Sequence, residues 1–282
     1  MDFGAYVRII RPSGCILVAA TALIGQVLAL GVFPEPATAV KAILSGFLLT
    51  ASSFTLNDYV DHEVDSINTP LRPIPSGRIT RIEALRYGLA LGIAGVTATL
   101  SLSPVTAALG LAVYVLTIFY TVKAKVYGFV GNVIVALCIA SYFLFGSLTV
   151  QTYIDSHIAY ISGICFLYVL GGEVTQSIAD AEGDRLRGVR SISLVSGPMT
   201  AAIMASICYA LMAVMGAYTA SLFGFKANTY SPILVICTVL IVLVITVPLL
   251  RRPNRESAMR TRNMVNAIAF LIIAGFIVTL FT

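Results

Sequence analysis

The chain has 282 residues, of which 58% are hydrophobic and only 11% charged, against about 25% charged residues in soluble domains. With a mean hydropathy of +0.94, that composition excludes a water-soluble globular fold and implies an integral membrane protein. The formal charge of +5 is not read as a nucleic-acid signal, because basic residues in so apolar a chain set membrane topology.

Runs near 20 apolar residues recur along the chain, each long enough to cross a hydrocarbon core of about 30 Å as a helix. Met1–Pro12 carries Arg8 and Arg11 ahead of an apolar run too long for a signal-peptide core, so the first run is expected to be a span of the mature protein. Spans are predicted at about 13–32, 37–56, 83–101, 105–122, 130–150, 157–177, 198–223, 231–250 and 263–281, punctuated by Pro34, Pro36, Pro104, Gly128, Gly131, Gly197, Pro198, Pro232 and Pro253. The expected fold is all-α and polytopic, about nine transmembrane helices around a central cavity in a single domain over 1–282. Two four-helix units, about 13–122 and 130–250, would form an internal repeat with a final helix appended.

Nine spans with a cytoplasmic N-terminus put the connections 57–82, 123–129, 178–197 and 251–262 inside and the C-terminus outside. All but Lys41 and Lys226 of the 18 Lys and Arg residues then lie at the inner face. The cell membrane is the expected location.

Two inner connections are long and acidic. On a helix advancing roughly 100° per residue, Asp58, Asp61 and Asp65 share one face while Glu63 points away. Glu173, Asp180 and Asp184 repeat the pattern, with Glu182 elsewhere. An acidic loop solvating a helix end is the ordinary reading of either stretch; three carboxylates on one face, twice, instead ask for a cation. Mg²⁺ commonly binds through one or two carboxylates plus substrate phosphates. A diphosphate held by metal and basic side chains becomes a better leaving group. If its other end is an allylic isoprenoid, a membrane chamber shelters the tail and the cation left by cleavage. Cys15, Cys138, Cys165, Cys208 and Cys237 lack C-x-x-C spacing and read as small core residues. His62 and His157 are far apart in sequence and do not support transition-metal chemistry.

The run Asn57-Asp58-x-x-Asp61-x-x-x-Asp65, continued by Arg72-Pro73 and Pro75-Ser76-Gly77, resembles the UbiA superfamily of intramembrane prenyltransferases. Tyr120 to Lys125 with Gly131-Asn132, and Asp180-x-x-x-Asp184 with Gly183, extend the resemblance along the whole chain. It implies Mg²⁺ as cofactor, with Asn57, Asp61, Asp65, Asp180 and Asp184 at the metal. Asp58, Asp61 and Asp180 belong to the catalytic centre, Asp58 and Asp65 being either further ligands or organisers. Arg72 and Lys125 would grip the diphosphate. Arg11 either approaches the same pocket or anchors topology, and Asn132 either orients phosphate or caps its helix. Tyr59, Tyr120, Phe143 and Phe145 line an isoprenoid chamber or pack against other helices.

Within the superfamily, Asp65 to Gly77 is most similar to archaeal members that join a geranylgeranyl group, taken from its diphosphate, to the free hydroxyl of geranylgeranylglyceryl phosphate, making the second ether of archaeal lipids. Gly172 and the run Gln176, Ser177, Ala179 depart from that group's pattern, which bears on the acceptor. The expected partners are a prenyl diphosphate, an isoprenoid glyceryl phosphate and the lipid bilayer, with no nucleic acid. An aromatic acceptor of quinone or haem pathways is the alternative within the enzyme class. A cation-coupled transporter is the alternative outside it.

Overall fold

The structure, a computed structural model, describes residues 2–222 and 241–279, and every regular element among them is helical. In chain order the helices are α1 (Phe3–Ile9), α2 (Pro12–Leu30), α3 (Pro36–Val60), α4 (His62–Asn68), α5 (Arg81–Leu100) and α6 (Pro104–Val122). After a single 3₁₀ turn at Ala124–Tyr127 come α7 (Phe129–Leu148), α8 (Ser156–Ala179), α9 (Ala181–Leu186), α10 (Ile192–Val195) and α11 (Pro198–Leu222). A π-helical stretch at Ile241–Thr246 leads into α12 (Val247–Arg251), and α13 (Arg255–Thr279) follows.

Six helices among the described residues are long and apolar enough to cross a membrane: Pro12–Leu30, Pro36–Val60, Pro104–Val122, Phe129–Leu148, Ser156–Ala179 and Pro198–Gly216. The expected nine are therefore met in part. The predicted span 83–101 is helical as α5 but carries Arg81, Glu83 and Arg86 in its opening turns, which dilutes its apolar character. Of the predicted span 231–250, residues 231–240 lie outside the described residues, and 241–250 form the π-helical stretch and most of α12. The helix expected at 263–281 starts earlier, because α13 begins at Arg255 and takes up most of the expected connection 251–262. Asn254 Oδ1 accepts from Ser257 N at 2.9 Å, capping the helix ahead of its charged first turns.

Proline opens α2, α3 and α6, where its missing N–H is one of the groups a helix start leaves unpaired. Between long helices, the two acidic connections fold as short ones, α4 in the first and α9 and α10 in the second. Many large apolar side chains are exposed on the long helices, Ile93, Val115 and Val214 among them, as lipid-facing surface requires.

The chain divides into two compact units, Met1–Lys125 with Leu137–Ser162, and Val126–Ala136 with Gly163–Thr282. In the first, α3 packs against α2, α5 and α6. Contact between α3 and α5 rests on small residues: a Cβ on Gly88 would stand 2.9 Å from Leu56 Cδ2, and one on Gly95 would stand 2.9 Å from the backbone N of Leu49. The backbones thus approach as small-xxx-small stripes allow in membranes. Ser52 Oγ, between them, donates to Gly88 O at 2.7 Å and meets Tyr114 Oη at 2.8 Å. Pairing of 88 with 56 and of 95 with 49 makes α5 antiparallel to α3.

In the second unit, Tyr209 is fully buried beside Gly171, and its hydroxyl meets Thr175 Oγ1 at 3.2 Å. Tyr168 Oη donates to Asn266 Oδ1 at 3.0 Å, tying α8 to α13. Gly128, at φ +55, lies so close to Arg190 O that any side chain there would collide with it. Arg190 N donates to Val126 O at 3.0 Å, which fixes the end of the second connection against the start of α7.

Candidate active site

The first acidic set is built where α3 becomes α4. Asp61 sits at the junction with φ −81° and ψ 3°, and hydrogen bonds run through it, Asp61 N to Asn57 O at 2.9 Å and Asp65 N to Asp61 O at 2.8 Å. The helix is re-aimed at Asp61 without losing its four-residue register. The three acids consequently serve two different networks.

Asp58 and Asp65, seven residues apart, both turn to Arg72. Its Nη1 donates to Asp65 Oδ2 at 2.5 Å and reaches Asp58 Oδ1 at 3.4 Å, while Arg11 Nη2 donates to the same Asp58 oxygen at 2.5 Å. Asp58 is 3% and Asp65 1% exposed. Carboxylates this buried persist as charges only when paired and hydrogen-bonded. Thr69 Oγ1 adds a donor to Asp65 at 3.2 Å. Arg11 is the sole non-glycine residue with positive φ among those described, at φ 50° and ψ 70°, a left-handed conformation costing roughly 1–2 kcal/mol. The turn into Pro12 is held there by Asp58 and by the Phe54 ring, 5.0 Å from the guanidinium carbon.

Asp61 belongs to the other network. Asn57 Nδ2 donates to its Oδ2 at 3.0 Å, and Lys125, in the 3₁₀ turn after α6, forms an ion pair with the same oxygen. The cations that separate the three acids are therefore Arg11, Arg72 and Lys125, and among the described residues no three carboxylate, thiol or imidazole groups converge as a metal cage. Asp61 and the Asn57 amide still supply hard oxygens four residues apart. One carboxylate completed by substrate phosphate is the donor chemistry Mg²⁺ uses, so the residues fit that ion.

The second set repeats this local structure in the second unit. Asp180 stands at the α8–α9 junction with φ −97° and ψ 6°. Its N donates to Gln176 O at 2.9 Å, and Asp184 N donates to Asp180 O at 2.8 Å. Gln176 Nε2 donates to Asp180 Oδ2 at 2.7 Å, as Asn57 does to Asp61. The other end of the Gln176 amide accepts from Arg262 Nη1 of α13 at 2.7 Å. Gln176 and Arg262 were not expected at the site. The signal that could have found Gln176 is an amide four residues before the acid in both connections. Asn132 lies inside the first turn of α7, one turn past Gly128, so it does not cap that helix; its Nδ2 is buried with no partner among the described residues.

Another residue the sequence reasoning did not single out for the site is Arg8. It lines a cavity of about 520 Å³ with Arg11, Asp58, Thr69, Pro70, Leu71, Arg72 and Pro73. The loop that forms one wall is pinned by the buried Ile79, which joins Ala5, Ile9 and Ala51 in a core cluster, and by Arg78 Nε at 3.0 Å from Asp2.

Fold and site together define a multi-pass helical membrane protein whose carboxylates and cations collect at the ends of apolar helices. The UbiA prenyltransferase family matches residues 18–280. Digeranylgeranylglyceryl phosphate synthase of Thermococcus kodakarensis is 31% identical over 280 residues, covering 99% of this chain and 98% of its own. A solved structure concerned with digeranylgeranylglyceryl phosphate synthase in membranes superimposes with a TM-score of 0.79 at 26% identity, covering 98% and 97%. A UbiA homolog from Archaeoglobus fulgidus, solved with GPP and Mg²⁺ bound, shares the fold at a TM-score of 0.73 and 19% identity, covering 96% and 99%. The chain belongs to the UbiA prenyltransferase family and is a prenyltransferase, which removes the transporter alternative.

Proposed function

We propose that this prenyltransferase moves a geranylgeranyl group from its allylic diphosphate to the free hydroxyl of geranylgeranylglyceryl phosphate, in archaeal ether-lipid synthesis. The observation that carries the reading is Asp61, bonded to Asn57 and Lys125 at the end of an apolar helix, together with full-length likeness to relatives named for that synthesis.

Lys125 and Arg72 hold the diphosphate, with Arg11 and Asn132 as further substrate-binding groups. Asn57 and Asp61 in the first unit, and Asp180 and Asp184 in the second, would each offer oxygens to Mg²⁺, and Asp58 and Asp65 keep Arg11 and Arg72 aimed. Bound Mg²⁺ supplies charge neutralisation to the leaving diphosphate. The allylic C–O bond breaks with its electron pair going to diphosphate, and the acceptor hydroxyl oxygen bonds to the allylic carbon. The hydroxyl proton passes to the departing diphosphate. Surrounding apolar helices exclude the water that would otherwise take the acceptor's place. The reading keeps the nine crossings expected from the sequence, adding α5 and α13 to the six apolar spans; the remaining one, 231–250, falls in part outside the described residues. It also keeps one catalytic domain, with the N-terminus and both acidic connections on the cytoplasmic side.

Purified protein given geranylgeranyl diphosphate, Mg²⁺ and geranylgeranylglyceryl phosphate is expected to yield the doubly prenylated glyceryl phosphate by mass, and none after chelation. Asp61→Ala and Asp180→Ala are each expected to lower turnover about 100-fold or more, the scale of losing an electrostatic catalytic group. Product formed only from an aromatic acid, or full turnover in both variants, would overturn the reading.

A further inference from the structure

The cavity beside Asp58 has three arginines on its walls, and the proposed chemistry uses only two of them. Arg11 and Arg72 are matched by Asp58 and Asp65. Arg8 is exposed on α1 and forms no ion pair with a carboxylate among the described residues. Asp2, on the same helix start, is taken by Arg78. The cavity thus carries one cation in excess, at a wall that Asn57, Asp61 and Lys125 do not line. A metal-bound diphosphate needs free carboxylates nearby; here the single lining carboxylate is already held by two guanidiniums. What the cavity suits is an anion bound without metal, by charge-assisted guanidinium hydrogen bonds.

Its rim is apolar. Leu71 lines the cavity and is 80% exposed, and Phe3 and Val7, one helical turn apart on α1, are 79% and 40% exposed. An anion whose attached chains lie in the membrane would meet both features at once: head group on Arg8 and Arg11, chains across Leu71 and the α1 stripe.

We infer that this cavity is the subsite for the phosphate monoester of the lipid acceptor, with Arg8 as its principal unshared cation and Arg72 on the wall it shares with the diphosphate-binding set around Asp61 and Lys125. The assignment rests on the proposed function and deepens it by giving the acceptor's phosphate a cation of its own, Arg8. A phosphate monoester brings nearly two negative charges at neutral pH, more than a phosphodiester lipid head group carries. The cavity therefore favours the acceptor over bulk anionic lipid.

The test uses the full chain in nanodiscs, with Michaelis constants measured separately for geranylgeranyl diphosphate and geranylgeranylglyceryl phosphate. Arg8→Gln is expected to raise the acceptor KM about tenfold, the scale of one charged hydrogen bond, while the diphosphate KM stays within about twofold. Arg8→Lys should recover part of the loss. The dephosphorylated acceptor should be a poor substrate whose KM Arg8→Gln does not change. An unchanged acceptor KM in Arg8→Gln, or equal rises for both substrates, overturns the subsite. So does phosphatidylglycerol in the nanodisc competing with the acceptor at equal mole fraction, which would make the cavity a general anionic-lipid site. Wild-type protein that makes no product from this acceptor sinks the proposed function itself; product formation with an Arg8-independent KM sinks only the subsite.

Discussion

Asp58, Asp61 and Asp65 look alike in sequence and differ in their surroundings. Asp65 is buried against Arg72, which retains only the longer contact to Asp58 if Asp65 is lost. Removing Asp65 takes a charged hydrogen bond from a guanidinium that is itself one-third exposed, a loss of about 2 kcal/mol. Asp65→Ala is therefore expected to lower the melting temperature in detergent by several degrees. Asp61→Ala should lower it less, because the Asp61 side chain is 12% exposed against 1% for Asp65, yet it should cost far more turnover. Melting curves read beside initial rates check both; equal destabilisation by the two variants would refute the division. Spacing alone made the acids legible and put Asp58, Asp61 and Asp65 on one face around a common cation. It could not assign Arg72 to Asp58 and Asp65 and Lys125 to Asp61, because those pairings depend on how α6 and the 69–80 loop return to α3. Arg8 was legible only as a topology charge, since its cavity is closed by Asp58 and by residues 69–73, fifty or more positions away.

At the level of elements, both acidic connections use one device: a long apolar helix, a single re-aiming residue that is an aspartate, and a short helix continuing the hydrogen-bond register. The amide one turn before that aspartate steers its carboxylate, Asn57 in one case and Gln176 in the other. The repeat was visible as two acidic faces, but its register was not: Glu173 belongs to the same face as Asp180 by spacing and has no counterpart at Phe54. Gln176 was noticed in the sequence only as a departure from an acidic pattern, whereas its amide accepts from Arg262 and donates to Asp180 together, which neither a carboxylate nor an apolar residue can do. Gln176→Leu is expected to release Asp180 from Arg262 and reduce turnover about tenfold, the scale of one hydrogen bond to a charged group. Gln176→Asn, too short to span both, should be nearly as poor. Measured Mg²⁺ dependence supplies the separate readout: a positioning role predicts that the Leu variant needs more Mg²⁺ for half-maximal rate, and an unchanged Mg²⁺ requirement would reduce Gln176 to packing.

For the molecule as a whole, the open question is whether α5 crosses the membrane, because every later loop changes sides with the answer. Its composition argues weakly, since Arg81, Glu83 and Arg86 crowd one end. The tertiary structure argues more strongly. Lys125, at the far end of α6, meets Asp61, at the far end of α3, so the chain leaves α3 and returns to the same level. If α6 makes the return crossing, α5 makes the outward one, and its antiparallel small-residue stripe along α3 from Leu56 to Leu49 is the path. Charges at the α5 start then sit with the other basic residues at the cytoplasmic face, as the positive-inside bias requires. In a background with the native cysteines replaced by alanine, Ser76→Cys and Ser101→Cys flank α5 at exposed positions. An impermeant maleimide should label Cys introduced at 76 only from the cytoplasmic side of oriented vesicles and at 101 only from the opposite side. Labelling of both from one side would remove α5 as a span and break the one-sided distribution of charge. It would also leave the Lys125–Asp61 pair without a membrane path that could form it.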